Sequence, residues 1–366
     1  MFLRLTGLFI INKDGGIAVQ PSLPMRFTLI ALVAMVFVQI TAIFGPARAD
    51  SVEDFYRDKT VNLIIGYGPG GGYDGYARLL ARHLGRHIPG NPTIVPKNMP
   101  GAGSLVAANY LYGVAPADGT EFGIFGRGIA MAPLLNGEGA EYDATRFNWI
   151  GSLNKEVSTC VSWHSSAVGK WEDLQETELT VPSGGPGADD HTFAAILRHV
   201  LDAKLRVVSG YSKSSEMLLA MERGEVDGFC GWSWSSAKSR KPEWLRDKKV
   251  NVLVQLALEK HPELPDVPLV MDLAETEEQR QMLTLIFSRQ AMGRPFAAPP
   301  DVPEERVNAL RDAFQATVSD PQFIADAQQA NMEINVLPGA AFDELLRSVY
   351  ETPKDVVTRA REAVKN

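Results

Sequence analysis

The sequence predicts an α/β protein with two lobes, each a mostly parallel sheet flanked by helices. Short aliphatic runs alternate with amphipathic helical segments in both halves of the chain, and strands separated by helices are typical of parallel sheets. A glycine-rich turn follows a strand-like run in each half, at residues 66–74 and 182–187. No Gly/Ser-rich or Pro-rich linker separates the halves, so we expect interleaved lobes rather than consecutive domains.

The first half supplies three predicted strands and two predicted helices. Val61–Ile65 is a continuous apolar run, which predicts a buried strand. The apolar residues of segment 74–87 fall on one helical face, which predicts an amphipathic helix after the first glycine-rich turn. Ser104 is a candidate cap for a second helix, which ends near Tyr112. The other two strands are predicted at Thr93–Val95 and Glu121–Phe125.

The same pattern repeats in the second half. Strands are predicted at Leu179–Val181, Leu205–Val208, Glu225–Phe229 and Val250–Val254. One helix is predicted after the second glycine-rich turn, because apolar side chains from Phe193 onward share a face. Another is predicted over Ser214–Arg223. The remainder of the chain is mainly helical, and Pro303 and Pro321 each open a helix.

Residues 1–49 predict an export signal. A basic residue precedes an apolar stretch over residues 27–44, and Ala47-Arg48-Ala49 follows it. A basic start, an apolar stretch and a small-x-small site are the parts of a cleaved signal peptide. We therefore predict cleavage near Ala49 and an exported mature protein, with an uncleaved membrane anchor as the alternative. Met25 is a candidate true start, because the residues before it add nothing that such a signal needs.

Charge and missing motifs exclude several classes of function. The chain carries 36 basic and 44 acidic side chains, a formal net charge of −8. A field of that sign argues against nucleic acid or an anionic membrane as the main partner. The sequence contains no Gly-x-Ser-x-Gly motif, no His-Glu-x-x-His motif and no cysteine pair at metal-binding spacing. We therefore predict no enzyme activity, no cofactor and no metal.

The two cysteines, Cys160 and Cys230, leave two possibilities open. Both follow strand-like runs in the middle third of the chain. Two cysteines in an exported chain suggest one disulfide. Two buried free thiols are an equal alternative.

The turn at residues 66–74 is the sharpest local feature. Its glycines match the spacing of a dinucleotide fingerprint, and glycines before a helix N-terminus suit any anion. The match to a dinucleotide site is weak, because Pro69 interrupts it and no acidic residue follows the second strand. The second turn, Ser183–Gly187, is likewise rich in glycine and precedes a predicted helix. We expect the two turns to face each other across a cleft and to hold carboxylates; a tight turn without a ligand is the alternative.

Three side chains are further candidates for this cleft. Arg127 lies between Gly126 and Gly128 at the end of the third strand, where ligands of parallel sheets usually bind. It suits a carboxylate partner, with a surface salt bridge as the alternative. His191 follows the second turn and can bond within the site or pack at the helix start. Trp232 follows a strand and suits the cleft wall or the core.

Several short motifs follow one another in a set order from Phe55 to the C-terminus: Tyr67-Gly-Pro-Gly-Gly-Gly-Tyr-Asp74, Ala77-Arg78, Asn98-Met-Pro-Gly-Ala-Gly103, Asp118-Gly119-Thr120, Tyr142-Asp143, Ser183-Gly-Gly-Pro-Gly187 with His191, Gly224-Glu-Val-Asp227 and Leu264-Pro-Asp-Val-Pro268. In this order they resemble the motifs of the solute receptors of tripartite tricarboxylate transporters, the TctC or Bug family. The ordered set is far more specific than any one of its members.

The resemblance implies a periplasmic, type II-like binding protein whose two lobes close like a Venus flytrap. We expect lobe 1 to comprise residues 51–155 and 259–366, and lobe 2 to comprise residues 156–258. The resemblance implies a monomeric receptor that captures a di- or tricarboxylate, or another organic acid, and delivers it to membrane permease subunits. Asp74 would brace the first turn or bind a ligand ammonium. The predicted ligand-binding residues are Tyr67, Pro69, Gly70, Gly71, Gly72, Asp74, Gly126, Arg127, Gly128, Ser183, Gly185, Gly187, His191, Tyr211, Asp227 and Trp232.

The sequence departs from the family pattern at several positions. Ala188 stands where many members have serine, and Ser209-Gly-Tyr211 replaces the usual Val-Pro-Tyr. Arg127, Trp232 and Trp234 are not general features of the family, and an arginine with two tryptophans suits an aromatic or larger acid. Two other functions stay open: an exported enzyme that uses the first glycine-rich turn, and a carboxylate-sensing receptor for a signalling partner.

Overall fold

A computed structural model describes residues 51–135, 139–185 and 188–365. The predicted signal peptide, with its possible start at Met25, and the predicted ligand-binding residue Gly187 lie outside the described residues. The described residues contain eleven strands and thirteen α-helices. The strands are β1 Thr60–Ile65, β2 Thr93–Asn98, β3 Glu121–Ile124, β4 Asn148–Ser152, β5 Ser158–Trp163, β6 Leu179–Ser183, β7 Leu205–Ser209, β8 Gly228–Ser233, β9 Val250–Leu256, β10 Pro295–Ala298 and β11 Leu337–Pro338.

The helices follow the predicted alternation with the strands. They are α1 Val52–Tyr56, α2 Gly72–Leu84, α3 Leu105–Gly113, α4 Ala132–Leu135, α5 Asp189–Val200, α6 Ser214–Glu222, α7 Trp234–Arg240, α8 Pro242–Arg246, α9 Glu277–Phe287, α10 Glu304–Val318, α11 Pro321–Gln329, α12 Gly339–Tyr350 and α13 Lys354–Lys365. Short 3₁₀ helices lie between them, at Gly85–His87, Ala102–Ser104, Arg127–Ala130, Ala144–Arg146, Trp171–Gln175, Val270–Leu273 and Ser288–Met292. None of the helices in the described part of the chain has the length and apolar character that a bilayer span requires.

The largest sheet has six strands in the order β11-β4-β10-β3-β1-β2. Strands β2, β1 and β3 are parallel, as the alternation of strands and helices predicts. Strand β10 returns from late in the chain and pairs antiparallel with both β3 and β4. Buried side chains of β1, α2 and α10 form one core against this sheet, with Leu63, Leu80 and Phe314 among them. This packing holds the carboxyl ends of β1 and β3 side by side.

The middle of the chain forms two smaller sheets. Strands β6 and β7 are parallel, whereas β8, β5 and β9 form an antiparallel sheet in that order. The α/β class is confirmed, but the antiparallel pairing differs from the mostly parallel sheet expected for the second lobe. The predicted strand Glu225–Phe229 also lies three residues later, as β8. Strand direction is set by tertiary packing between segments far apart in the chain, which a local apolar run does not encode.

Strand β8 contains an irregularity that matters for the site. Its register against β5 shifts between the pairs Thr159–Trp232 and Cys160–Cys230. Gly231 is therefore an extra residue, a β-bulge, and its φ of 98° is one that L side chains rarely adopt. A Cβ at Gly231 would lie 2.8 Å from Asp190 Cα, so the missing side chain lets β8 approach the start of α5. Cys160 and Cys230 face each other beside this bulge and are joined by a disulfide.

Candidate functional site

The first glycine-rich turn is held by a network around Asp74. The Asp74 carboxylate accepts hydrogen bonds from Gly70 N at 2.9 Å, from Arg78 Nε at 2.9 Å and from Asn98 Nδ2 at 2.9 Å. Asn98 Nδ2 also donates to Tyr67 O at 2.8 Å. Asp74 is buried in the first turn of α2, where a negative charge also suits the helix dipole. Of the two roles predicted for Asp74, the geometry favours bracing the turn.

Ser104 links the first turn to the loop after β3. Its hydroxyl donates to Gly66 O at 3.1 Å and accepts from Gly126 N at 3.1 Å. The side chain makes no capping hydrogen bond to α3, so the predicted capping role of Ser104 is wrong. The Ser104 hydroxyl instead joins the ends of β1 and β3, which are adjacent in the sheet and are each followed by a turn.

We expect the change Ser104→Ala to lower the free energy of unfolding by about 2 kcal/mol, because it leaves a buried carbonyl and a buried N–H without their partner. Urea denaturation measures the effect. The exposed hydroxyl of Ser51 offers a matched control: its loss removes a helix cap and an exposed hydrogen bond to Asp54, together worth about 1 kcal/mol. Equal losses in the two variants would contradict the linking role of Ser104.

The second turn is organised by its own side chains. Ser183 Oγ accepts from Gly185 N at 3.0 Å, and Asp190 Oδ1 accepts from Gly184 N at 2.8 Å. Gly185 has a φ of 105°, which explains the need for glycine. The Ser183 carbonyl also accepts from Tyr211 N at 3.2 Å. These bonds fix the entry to α5.

A cleft lies where the first turn, the loop after β3, the start of α5 and strand β8 meet. The first turn contacts the segment before α6 at this cleft, since Gly68 N donates to Ser212 O at 3.4 Å. The ring of Tyr67 stacks on Tyr73 with centroids 4.8 Å apart and covers one side. The residues that line the cleft are Tyr67, Gly71, Gly72, Tyr73, Arg127, Asp189, Asp190, Lys213, Ser214, Met217, Phe229, Gly231, Trp232, Ser233, Ser236 and Arg294.

Arg127 is the centre of this cleft and is almost completely buried. Its Nε donates to Asp189 Oδ2, and its Nη2 donates to Ser233 Oγ at 2.9 Å and to Ser158 Oγ at 3.3 Å. The backbone N of Arg127 donates to the Tyr73 hydroxyl at 3.1 Å. Its remaining nitrogen, Nη1, is buried and has no hydrogen-bond partner among the described residues. A buried, unpaired guanidinium N–H is costly unless a ligand oxygen completes it.

Two further buried arginines accompany Arg127. Arg289 Nη1 donates to Asp189 Oδ1 at 3.4 Å. Arg294 Nη2 donates to Glu156 Oε2 at 3.0 Å, and its guanidinium lies 4.5 Å from the centroid of the Tyr73 ring. Asp189 and Glu156 thus each accept from at least one of these three buried arginines.

The opposite wall of the cleft is apolar. Phe229 and Trp232 stack with ring centroids 6.2 Å apart and an interplanar angle of 13°. Met217 lines the same wall and is buried. Trp232 Nε1 is a buried donor with no partner among the residues that the structure describes. Arg127, Trp232 and Arg294 thus each bring a buried donor without a partner among the described residues to one cleft.

The structure brings only part of the predicted set together. Tyr67, Gly71, Gly72, Arg127 and Trp232 line the cleft. The predicted residues that do not line it are Pro69, Gly70, Asp74, Gly126, Gly128, Ser183, Gly185, His191, Tyr211 and Asp227. Several of these shape the turns instead, since glycine and short polar side chains serve backbone geometry there.

Two of these residues make contacts away from the cleft lining. Asp227 is exposed, and its carboxylate accepts from Thr180 N at 3.2 Å, which ties β6 to the start of β8. His191 lies in the first turn of α5, the helix-start position given as one of its two alternatives, and burial lowers the pKa of its imidazole. The motifs of both residues adjoin residues that do line the cleft.

Asp189, Asp190 and Arg294 line the cleft but are not among the predicted site residues. Asp189 and Asp190 follow the second turn closely in the sequence. They were not predicted because a carboxylate ligand suggests cationic rather than acidic side chains. Arg294 lies between Gly293 and Pro295, far along the chain, and reaches the cleft only because β10 inserts between β3 and β4. No local pattern marks it.

Asp190 has an unusual ionisation. Burial raises the pKa of its carboxyl from 3.8 to about 7, although hydrogen bonds from Gly184 N and the Ser183 hydroxyl oppose the shift. The folded protein then holds a proton between about pH 4 and pH 7 that the unfolded chain has released, so this group's contribution to stability falls as pH rises through that window. The charge of Asp190 therefore changes around neutral pH.

We expect Asp190→Asn to become progressively more stable relative to the unsubstituted protein as pH rises from about 4 to 8, because the amide removes the cost of ionising a buried acid. Urea denaturation at several pH values measures this difference. The exposed Asp312 provides the control Asp312→Asn, whose difference from the parent should not rise in that window. A pH-independent difference for Asp190→Asn would contradict the assignment.

One trio of potential metal ligands lies elsewhere, at His261, Glu263 and Glu333. Lys238 already serves this trio: its ammonium lies 2.8 Å from Glu263 Oε2 and also pairs with Glu333. Trp234 Nε1 donates to Glu263 as well, at 2.8 Å. The carboxylates therefore have a resident cation from the protein itself.

Comparison with solved structures defines the fold. The periplasmic binding protein BugD superposes with a TM-score of 0.68 at 20% identity, covering 83% of this chain and 98% of BugD. R. palustris Rpa4515 with adipate gives a TM-score of 0.65 at 20% identity, covering 82% of this chain and 97% of that protein. The chain has the fold of the Bug and TctC periplasmic binding proteins. The Bug/TctC resemblance drawn from the motifs is thus confirmed at the level of the fold.

Sequence comparison adds one relative to the Bug/TctC structures. It is a UPF0065 protein from the tcbD–tcbE intergenic region of Pseudomonas sp. (strain P51), 24% identical over 230 residues. The match spans 60% of this chain and 65% of that relative's length. No family model matches the sequence.

Proposed function

We propose that this protein is an extracytoplasmic solute receptor that binds a small carboxylate in the cleft around Arg127. The observation that carries the proposal is the buried Arg127 Nη1, a charged donor without a partner among the described residues. A guanidinium N–H is the donor that best matches a carboxylate oxygen. Structures with the same fold support the ligand class, since one of them contains adipate.

Capture would involve the two lobes expected from the sequence. Residues 51–155 with 259–366 would form lobe 1, and residues 156–258 would form lobe 2. Sheet membership supports this division, because the six-stranded sheet draws on both ends of the chain and the smaller sheets draw only on its middle. Arg127 and Asp189 would then pair across the cleft. Opening would part this pair to admit the ligand, and hinge closure would exclude water from it.

The delivery step would follow in the periplasm. After cleavage near Ala49, the receptor would act as a monomer and hand its ligand to the membrane subunits of a tripartite tricarboxylate-type permease. The periplasmic location of proteins with this fold supports the compartment. Genes for a large and a small membrane subunit beside this gene would support the partner.

A thermal-shift screen of the mature protein against organic acids tests the proposal. A carboxylate at about 100 times its dissociation constant should stabilise the protein by roughly 2.7 kcal/mol. Amines and sugars of similar size should produce no shift. If no acid stabilised the protein while it remained folded by circular dichroism, the receptor function would be refuted.

A further inference from the structure

The charges buried around the cleft are nearly balanced before any ligand enters. Arg127, Arg289 and Arg294 are each at most 2% exposed. Asp189 accepts from both Arg127 Nε and Arg289 Nη1, and Glu156 accepts from Arg294 Nη2. Two ionised acids therefore neutralise two of the three guanidiniums. The protein already provides most of the negative charge that a multiply charged ligand would bring.

The remaining charge corresponds to one anion. Asp190 is the third buried acid, and because burial raises its pKa to about 7 it is largely protonated below neutral pH. Lys213 also lines the cleft, but its ammonium faces Glu216 at 3.7 Å. One guanidinium charge is left over. Arg127 Nη1 and Arg294 Nε are both buried without a hydrogen-bond partner among the described residues, but the Arg294 charge is already paired with Glu156. A single carboxylate on Arg127 would complete the charge balance and the hydrogen bonding of Nη1.

The other cations among the described residues that line the cleft already have acidic partners, since Arg294 pairs with Glu156 and Lys213 with Glu216. Phe229, Trp232 and Met217 form a buried apolar wall, on which the only polar group is the uncharged Trp232 Nε1. On the other side, Asp189 and Asp190 present carboxyl groups. A second ligand carboxylate would therefore lack an unpaired cation and would lie near the apolar rings or the Asp189 carboxylate, and both situations are unfavourable for a buried anion.

We propose that the cleft selects an acid with a single carboxylate and an apolar or aromatic body, and that Asp189 is the specificity-determining residue that rejects a second carboxylate. This inference rests on the receptor function proposed above and narrows its ligand class. Asp189 acts as an internal carboxylate that occupies the guanidinium nitrogens which a dicarboxylate would otherwise use. The aromatic wall then contributes affinity through the uncharged part of the ligand.

Matched pairs of acids test the inference on the unsubstituted protein. Hexanoate and adipate share a six-carbon frame, as benzoate and terephthalate share a ring, and within each pair only the number of carboxylates differs. Isothermal titration calorimetry at about pH 6, where Asp190 is largely protonated, should show the monocarboxylate of at least one pair binding more than about 100-fold tighter than its dicarboxylate, because the second charge is buried without a partner. The screen also includes malate, citrate and phenylacetate.

Charge variants test the role of Asp189. The change Asp189→Asn adds one net positive charge at the same volume and should reduce the preference for the monocarboxylate by about tenfold or more. The double variant Asp189→Asn/Arg289→Gln restores the net charge and should restore the preference. Asp312→Asn, on the exposed face of α10, changes the same charge far from the cleft lining and should leave the preference unchanged.

The outcomes separate this inference from the function on which it rests. Tighter binding of adipate, terephthalate, malate or citrate than of any monocarboxylate would overturn the single-carboxylate inference while the receptor function stood. No binding of any acid would overturn both. If Asp189→Asn is folded, binds acids and keeps the preference for the monocarboxylate, Asp189 does not have its assigned role. If Asp189→Asn does not fold, the double variant Asp189→Asn/Arg289→Gln decides. Loss of the preference in the double variant would refute the charge argument.

Discussion

Replacing Arg127 with glutamine is expected to abolish measurable carboxylate binding and to destabilise the protein. The variant loses Arg127 Nη1, a guanidinium nitrogen that is free for a ligand, and truncating one partner of a buried charged contact weakens binding by at least about 30-fold. It also takes from Asp189 one of its two arginine partners. Because Arg289 remains, we expect the free energy of unfolding to fall by about 3 kcal/mol, near the lower end for a broken buried ion pair.

Calorimetry with the acids that stabilise the parent, together with urea denaturation, measures both effects. Arg146→Gln is the matched control. Arg146 pairs with Asp301 at 3.4 Å, but both side chains are more than half exposed, so its loss should cost less than about 1 kcal/mol and leave affinity unchanged. Retention of full affinity by Arg127→Gln would place the ligand elsewhere.

The second large effect is expected from Glu156, which lies between β4 and β5. Both Glu156 and Arg294 are almost fully buried, and the carboxylate also accepts from Asn154 Nδ2 at 3.1 Å and from the Ser235 hydroxyl at 2.5 Å. The change Glu156→Gln keeps the shape but leaves the Arg294 charge buried without its counterion. We expect a loss of about 3 to 5 kcal/mol in the free energy of unfolding.

A double-variant cycle shows whether the unpaired charge is the cause. Glu156→Gln/Arg294→Met removes both charges and should recover a large part of the loss, since replacing a buried ion pair with uncharged side chains is often close to neutral. Glu53→Gln, in an exposed pair with Arg57, should change stability by less than about 0.5 kcal/mol. Additive losses in the double variant would argue that packing, not charge, dominates at Glu156.

Much of the first sheet could be predicted from the sequence because its signals are local. The run Val61–Ile65 and the one-sided apolar pattern of segment 74–87 specify a strand and a helix without reference to the rest of the chain. The helix is observed as Gly72–Leu84 with a 3₁₀ turn at Gly85–His87. The glycine-rich turn between strand and helix is also a local signal, and at Gly70 the φ of 88° is one that favours glycine.

The remainder depends on contacts between distant segments. Strand β5 pairs with β8 some seventy residues later, and no property of either segment states the direction of that pairing. Arg294 reaches the cleft through β10, which the sequence analysis did not predict as a strand. Arg127 was found because it ends a predicted strand, whereas its partner Asp189 was missed because its role appears only when the two elements meet.

The bulge at Gly231 shifts the phase of strand β8. In a regular strand, side chains two positions apart share a face, but here Phe229 and Trp232, three positions apart, stack in the same apolar cluster. Cys230 between them belongs to a different cluster, on the other side of the sheet. If Gly231 were paired as an ordinary residue of a regular strand, Trp232 would lie on the face opposite Phe229. The bulge, which the backbone conformation of this one glycine permits, thus decides which face of β8 presents Trp232.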